Sequence, residues 1–260
     1  MRVRREPPDF RRVAVSRVEA AGARLVRVTL AGPELAGFAV DLPGASVRLL
    51  LRSPGATDLL VPTWQGNEFL LPDGRRPVIR TLTPLRVATG SLELDVAIVT
   101  HGNGPASEWA ATAAPGDLVA ISGPGRGYSI DEEAPAFFLV GDESALPAIG
   151  QLLAALPPAT PVEVHVEVAD PTGRIPLPRQ GPTSLDWHDL APGSAPGATL
   201  IAAMQKAEIV PGTQIWAAGE AAAMQRIRRN LFEDRGLSRA QATVRGYWKA
   251  GRGGDDADDG

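Results

Sequence analysis

The feature that most constrains the fold is a change of hydrophobic pattern near residue 131. Before it, short alternating segments such as Arg24–Leu30 and Leu92–Val99 are separated by Gly- and Pro-rich turns. After it, apolar runs such as Ala136–Val140 are followed by a glycine and a helical stretch. Because the first pattern is typical of antiparallel strands and the second of strands joined by helices, the sequence predicts two domains of different architecture.

The first pattern predicts an N-terminal antiparallel β-barrel over residues 1–130. Its strands are short and evenly spaced, which is typical of barrels. Val78–Val87 and Ser91–Val99 are expected to pair with each other about a turn at Thr89 and Gly90. Asp117–Ser122 is expected to add a further strand before a glycine-rich segment.

The second pattern predicts a doubly wound parallel sheet over residues 131–250. Pro161–Val168 and Ile215–Ala218 are predicted strands, and Ala145–Leu156 is a predicted crossover helix. Strands alternating with helices favour this α/β arrangement. The Gly- and Asp-rich segment 251–260 is predicted to be a disordered acidic tail.

Composition excludes several classes of function. A net charge of −4 and a pI of about 5.5 argue against a nucleic-acid binder, which is normally basic. The absence of cysteine excludes disulfides, thiolate metal sites and iron–sulfur clusters, and with 3 histidines no metal site is expected. The N-terminus lacks the apolar core of a secretory signal, and no apolar run reaches membrane-spanning length. We therefore expect a cytoplasmic protein without membrane insertion.

A strand-to-helix junction at His101–Ala110 is a candidate phosphate site. Gly102 and Gly104 allow a tight turn, Pro105 suits the first helical position, and Ser107 adds a hydroxyl near the helix start. Unpaired N–H groups and the helix dipole favour an anion there. The same glycines would serve equally well in a plain turn between strand and helix.

Two further loops, Gly141–Ser144 and Gly219–Glu220, follow predicted parallel strands. Ligands of such sheets bind beyond the carboxyl ends of the strands, so both loops should face one crevice. Asp142, Glu143 and Glu220 could bind ribose hydroxyls or assist proton transfer there. They could also simply be carboxylates favoured at helix starts.

Several other polar residues also have both a functional and a structural interpretation. Arg80 and Thr83 precede the glycine turn and could bind a pyrophosphate and a ring edge, although strand arginines are usually solvated. Arg245–Lys249 combines aromatic and cationic residues, and its aromatics are expected to pack on the core. His165 is expected to face solvent and His188 to lie in a loop, so neither has a predicted role.

Taken together, these stretches resemble the siderophore-interacting proteins, which are FAD-dependent ferric-siderophore reductases of the ferredoxin–NADP reductase superfamily. The matching pieces follow the family's order along nearly the whole chain. They are Arg80-Thr-Leu-Thr83, His101-Gly-Asn-Gly-Pro-Ala-Ser-Glu-Trp-Ala110, Pro115-Gly-Asp117, Gly123-Pro124, Leu139-Val-Gly-Asp-Glu-Ser-Ala-Leu-Pro-Ala-Ile149, Trp216-Ala-Ala-Gly-Glu220 and Gly246-Tyr-Trp-Lys249.

The resemblance implies FAD on the barrel, NAD(P)H on the second domain and electron transfer to Fe(III) of a siderophore. The residues implied around FAD are Arg80, Thr81, Leu82, Thr83, His101, Gly104, Pro105, Ala106, Ser107 and Trp109. Those implied around NAD(P)H are Gly141, Asp142, Glu143, Ser144, Ala218, Gly219 and Glu220. Those assigned to the siderophore are Lys249, Arg245 and Trp248. Some members of the family take electrons from ferredoxin, which makes ferredoxin an alternative partner.

The sequence departs from the family at the flavin motif. Leu82 replaces a tyrosine that packs on the flavin ring, and Leu85 stands where an arginine is usual, with Arg86 next. Two alternatives therefore stay open. One is a derivative without flavin that binds or transforms a small secondary metabolite between the domains. The other is a general flavin reductase that supplies a partner oxygenase.

Overall fold

A computed structural model describes residues 7–100 and 104–251. These residues form two compact units, one running to Tyr128 and the other comprising Ser129–Gly251. His101 and the predicted tail beyond Gly251 lie outside the described residues. Within the described ranges, no helix has the length and apolar character needed to cross a membrane.

The first unit is a curled antiparallel sheet. Its seven strands are arranged in the order β6-β3-β9-β1-β2-β8-β7, and β4 and β5 form a separate two-stranded hairpin. The elements are β1 Arg11–Ala20, β2 Leu25–Ala31, β3 Val47–Leu51, β4 Thr63–Trp64, β5 Phe69–Leu70, β6 Val78–Leu82, β7 Pro84–Ala88, β8 Glu93–Val99, α1 Pro105–Thr112 and β9 Leu118–Ser122. A short 3-10 turn lies at Pro33–Leu35. The predicted antiparallel barrel is confirmed.

The two outer strands of this sheet, β6 and β7, are consecutive in the chain. Only Thr83 separates them, so the chain itself connects the two edges. The expectation of one strand from Val78 to Val87 was wrong. β7 pairs with β8 as predicted, but β6 pairs with β3. The break falls where Pro84, which has no N–H, begins a new strand.

The second unit is a parallel five-stranded sheet with the order β12-β11-β10-β13-β14. Its strands are β10 Phe137–Asp142, β11 Val162–Val168, β12 Thr183–Asp189, β13 Gln214–Glu220 and β14 Ala242–Trp248. Its helices are α2 Leu146–Ala155, α3 Ala198–Lys206 and α4 Ala221–Arg229, with 3-10 turns at Glu143–Ala145 and Pro171–Gly173. A π-helical turn at Asn230–Asp234 follows α4.

Helices cover both faces of this sheet, which confirms the doubly wound prediction. Phe138 and Val140 pack in one cluster with Leu200 of α3 and Met224 of α4. Gly141 faces the opposite way and lies against α2, because successive strand residues point to opposite faces. The order of strands reverses between β10 and β13, and this switch point is where such sheets bind ligands.

The expectations for two histidines were wrong. His165 is buried, and His188 lies in β12 rather than in a loop. The alternation around His165 suggested a strand with one solvated face. β11 instead lies inside a sheet covered on both sides, where alternation does not indicate exposure.

Candidate functional site

The strand register brings two of the predicted FAD segments to one end of the barrel. Pro84 pairs with Val96 near the middle of β8. The preceding residue, Thr83, therefore lies toward the carboxyl end of β8, and β6 contacts that strand. The helix α1 follows β8 in the chain and packs against it. The bend at Thr83 and the start of α1 consequently belong to the same end of the barrel.

Arg80 lies on the inward face of its strand. It pairs with Leu49 of β3, which is fully buried in the barrel core, and directly opposite residues of an antiparallel pair share a face. The guanidinium is half-buried, and its Nη1 donates to the Ile79 carbonyl at 2.6 Å. Thr83 is buried, whereas Thr81 is exposed. Arg80 is therefore unlike the solvated arginine that is usual on a strand.

The helix α1 begins without a side-chain cap. Gly104 is the N-cap residue, with φ 87, a conformation that favours glycine. Pro105 occupies the first helical turn, and the Glu108 N–H donates to the Gly104 carbonyl at 3.0 Å. Ser107 is buried, and Ala106 and Trp109 are half-buried against the barrel core. A helix start of this kind favours an anion.

The donor set at this end of the barrel fits a phosphate-bearing cofactor. It combines a guanidinium, the hydroxyls of Thr83 and Ser107, and a helix N-terminus. Leu82 is half-buried and packs against the barrel core, so it offers an aliphatic surface rather than an aromatic ring. The chemistry of these groups suits the pyrophosphate of FAD.

Arg86, which follows Leu85 at the position where the family usually has arginine, forms an ion pair within the barrel. The register of β7 shifts between Pro84 and Arg86, which makes Leu85 the bulged residue. Arg86 Nε donates to Oδ2 of buried Asp95 at 3.0 Å, and Thr29 Oγ1 donates to Oδ1 at 2.8 Å. Burial alone would raise the pKa of Asp95, but these two hydrogen bonds and the nearby arginine charge hold it below its ordinary value.

In the second unit, the carboxylate of Asp142 lies at the switch point and accepts hydrogen bonds through both oxygens. Oδ1 accepts from Ser144 N at 2.9 Å and from Ser144 Oγ at 2.5 Å. Oδ2 accepts from Glu220 N at 2.9 Å and from Trp248 Nε1 at 2.7 Å. Burial raises the pKa of Asp142, and the hydrogen bonds from Ser144, Trp248 and Glu220 oppose that rise.

The glycines of the two strand-end loops serve close packing. A Cβ on Gly141 would lie 2.5 Å from Ala145 Cβ and 3.1 Å from the Ala218 carbonyl oxygen. A Cβ on Gly219 would lie 2.6 Å from Oδ2 of Asp142. The distances of 2.5 Å at Gly141 and 2.6 Å at Gly219 are shorter than real Cβ contacts, so the local packing favours glycine at both positions.

The two other acids predicted at this edge also have partners within the fold. Glu220 Oε2 accepts from Ala223 N at 2.9 Å and caps α4, while its Oε1 accepts from Ala250 N at 3.2 Å. Glu143 is buried, and its Oε1 accepts from Ala169 N at 3.4 Å. The carboxylates of Asp142 and Glu220 therefore organise the protein's own backbone.

The C-terminal segment carries the residues predicted for the acceptor. Lys249 is exposed, Arg245 is half-buried, and the Trp248 ring is 40% exposed despite its hydrogen bond to Asp142. Tyr247 packs edge-on against Trp216 with ring centroids 6.3 Å apart, as expected for docked aromatics. The sequence carried no signal for the Asp142–Trp248 contact, because the partners are 106 residues apart.

Within the described residues, no group of three or more His, Cys, Asp or Glu side chains could hold a metal ion.

Comparison with known proteins places these features in a family. Residues 14–128 match the family model of the siderophore-interacting FAD-binding domain, and residues 134–251 match that of the siderophore-interacting protein. The crystal structure of a siderophore utilization protein from T. fusca is 33% identical, with 98% of each chain covered and a TM-score of 0.85.

Two curated relatives have names that describe a reaction. Ferric vibriobactin reductase ViuB of Vibrio cholerae is 28% identical over 88% of this chain and 85% of its own length. The NADPH-dependent ferric-chelate reductase of Escherichia coli (strain K12) is 29% identical over 93% of each chain.

A curled antiparallel sheet followed by this parallel sheet is also the fold of phthalate dioxygenase reductase, whose structure is 16% identical over 91% of this chain and 67% of its own, with a TM-score of 0.56. The chain belongs to the siderophore-interacting protein family. It is a siderophore-related flavin oxidoreductase with an FAD-binding barrel.

Proposed function

We propose that this protein transfers electrons from NAD(P)H through FAD to a ferric siderophore and releases Fe(II). The main support for the proposal is that one chain combines two parts. One is an FAD-binding barrel, and the other is a parallel sheet with a switch point between β10 and β13. The names of the two curated relatives support the same donor and acceptor.

The barrel residues would bind and orient the flavin. Arg80 and Thr83 would contact its ring edge and phosphates, and the start of α1 with Ser107 would hold the pyrophosphate. Leu82 would cover one ring face through apolar contact. When bound, FAD supplies the redox chemistry, because it accepts a hydride and passes electrons on one at a time.

The nucleotide would bind beyond the carboxyl ends of β10 and β13, at Gly141–Ser144 and Ala218–Glu220. The carboxylates of Asp142 and Glu220 already accept hydrogen bonds from the protein. We therefore assign the nucleotide contacts to the backbone of these loops rather than to their acids.

The acceptor would meet the C-terminal segment. Lys249 and Arg245 supply positive charge, and the exposed ring of Trp248 supplies apolar surface. These groups suit an anionic ferric chelate with aromatic or apolar parts. Reduction to Fe(II) weakens the hold of hard oxygen ligands on the iron, which releases it from the chelate.

The proposal is tested with purified protein loaded with FAD under anaerobic conditions. NADPH or NADH should bleach the flavin band, and a ferric tris-catecholate should restore it while an Fe(II)-specific chelator develops colour. If neither nucleotide bleaches the flavin but reduced ferredoxin does, the donor half of the proposal is wrong.

Leu82 is the observation that favours a different function. A protein that does not bind FAD at all would support the flavin-less derivative and contradict the reductase. If the protein reduces free FMN much faster than any ferric chelate, it would instead be a general flavin reductase.

A further inference from the structure

The hydrogen bond between Trp248 and Asp142 crosses a strand. Asp142 ends β10 and Trp248 ends β14, while β13 lies between these two strands. The Trp248 indole reaches over the end of β13 to place its Nε1 2.7 Å from Oδ2 of Asp142. Gly219, which lies on β13, makes this possible, since a side chain there would collide with that oxygen.

Glu220 provides a second attachment for the same segment. Its Oε1 accepts from the Ala250 N–H at 3.2 Å, and its own N–H donates to Asp142. The residues on either side of Lys249 are thus both held by acids at the switch point. Lys249 itself is exposed between two fixed neighbours.

We infer that Asp142 is a positioning residue for the acceptor segment, acting through the Trp248 indole to hold Lys249 in the orientation that receives an anionic ferric chelate. This inference rests on the proposed function. An indole N–H can only donate, and a buried carboxylate is a strong acceptor for it. Fixing the segment before the chelate arrives lowers the ordering cost of binding.

The expected effect of both variants is a lower affinity for the chelate. Trp248→Phe keeps an aromatic ring but removes the single donor, and Asp142→Asn keeps the volume. Each should weaken binding of a ferric tris-catecholate about three- to tenfold, which corresponds to the loss of one hydrogen bond. In Trp248→Phe the KM for NADPH should change less than about twofold, because Trp248 lies outside the loops assigned to the nucleotide. In Asp142→Asn the KM for NADPH is not a control, because the Asp142 carboxylate also holds the Ser144 and Glu220 N–H groups of those loops. Trp187→Phe, on the outer strand β12, is the matched control.

A double-mutant cycle between Asp142 and Lys249 distinguishes a positioning role of Asp142 from a purely structural one. If Asp142 acts through the segment, Asp142→Asn should have little further effect on chelate binding once Lys249→Gln is present. A purely structural role would give additive losses. Binding is measured by equilibrium ultrafiltration with the FAD-loaded protein, and thermal unfolding confirms that each variant is folded.

The outcomes distinguish the inference from the proposed function. Weaker binding in Trp248→Phe and Asp142→Asn, coupled to Lys249, supports the inference. Unchanged binding in both variants, with a clear loss in Lys249→Gln, overturns the inference and leaves the proposed function standing. If the wild-type protein reduces its flavin with NADPH but binds no ferric chelate, both are overturned.

Discussion

Nδ1 of His165 and Nε2 of His188 lie 2.9 Å apart on the neighbouring parallel strands β11 and β12. The other ring nitrogen of His165 lies 2.7 Å from Oε1 of Glu163. When His165 donates through this nitrogen to Glu163, its Nδ1 is free to accept from Nε2 of His188, and both ring nitrogens of His165 are satisfied. Two fully protonated rings would place N–H against N–H.

This pair predicts a pH dependence of stability. Burial lowers the pKa of His188 below its ordinary value of 6.5, and the charge of His165 adds to this, against the attraction of Asp186, Glu167 and Asp189. A lowered pKa means that the stabilisation is present above pH 6.5 and is lost as pH falls through the folded-state pKa.

His188→Gln should therefore flatten the fall in unfolding free energy below pH 6.5. Urea unfolding at several pH values measures this slope. Identical slopes in the wild type and the variant would show that His188 does not titrate as described.

Asp95 predicts that the stability of the fold depends on pH in the acid range. Its pKa is lowered from 3.8, so its stabilising contribution is present above that value and lost as pH falls through the folded-state pKa. Asp95→Ala also leaves the buried Thr29 hydroxyl without its acceptor, which should cost about 1–3 kcal/mol at neutral pH. Chemical denaturation measures the loss. Asp73→Asn, in an exposed pair with Arg75, is the control and should change little.

A side chain at position 219 should disturb the packing at the switch point. In Gly219→Ala the added methyl would displace the Asp142 carboxylate from its position beside Trp248. We expect a loss of about 1–3 kcal/mol of stability and a red shift in tryptophan emission. Gly90→Ala is the control, because a Cβ there meets nothing within 4 Å. Equal stability of the two variants would contradict the packing described at Gly219.

Replacing Leu82 with tyrosine should strengthen the binding of FAD. Leu82→Tyr restores an aromatic ring on the strand assigned to FAD, and a stacked ring is worth about 0.5–1.5 kcal/mol beyond its area. The dissociation constant for FAD should fall about two- to tenfold, as measured by quenching of flavin fluorescence. Leu118→Tyr, at a leucine that is 61% exposed, should leave it unchanged. If Leu82→Tyr has no effect, the flavin ring does not lie on this residue.

Periodicity was sufficient to predict both architectures. The continuous apolar run at Phe137 corresponds to a strand that is buried on both faces. The alternation near Leu92 located a strand but not its exposure, because Asp95 is buried together with its apolar neighbours. The strand β12 was not predicted, because Thr183–Asp189 is largely polar and lies at the edge of its sheet.

Contacts between distant residues could not be predicted in the same way. Asp142 and Glu220 cap the helical segments that follow their strands, in agreement with the helix-start alternative. Local sequence gives no indication that the indole of Trp248 reaches Asp142. Likewise, the bend at Thr83 depends on which strands pair, with β6 joining β3 and β7 joining β8, and the local pattern does not contain that information. The assignments of site residues to FAD, nucleotide and siderophore remain predictions.

The central claim is that the barrel holds a flavin that a nicotinamide nucleotide reduces and a ferric siderophore reoxidises. The most direct test is the visible absorption spectrum of the purified protein after FAD is added and free flavin is removed, followed by anaerobic NADPH and then a ferric tris-catecholate. We predict retained flavin bands that bleach with NADPH and return with the chelate. A colourless protein that retains no FAD would contradict this account.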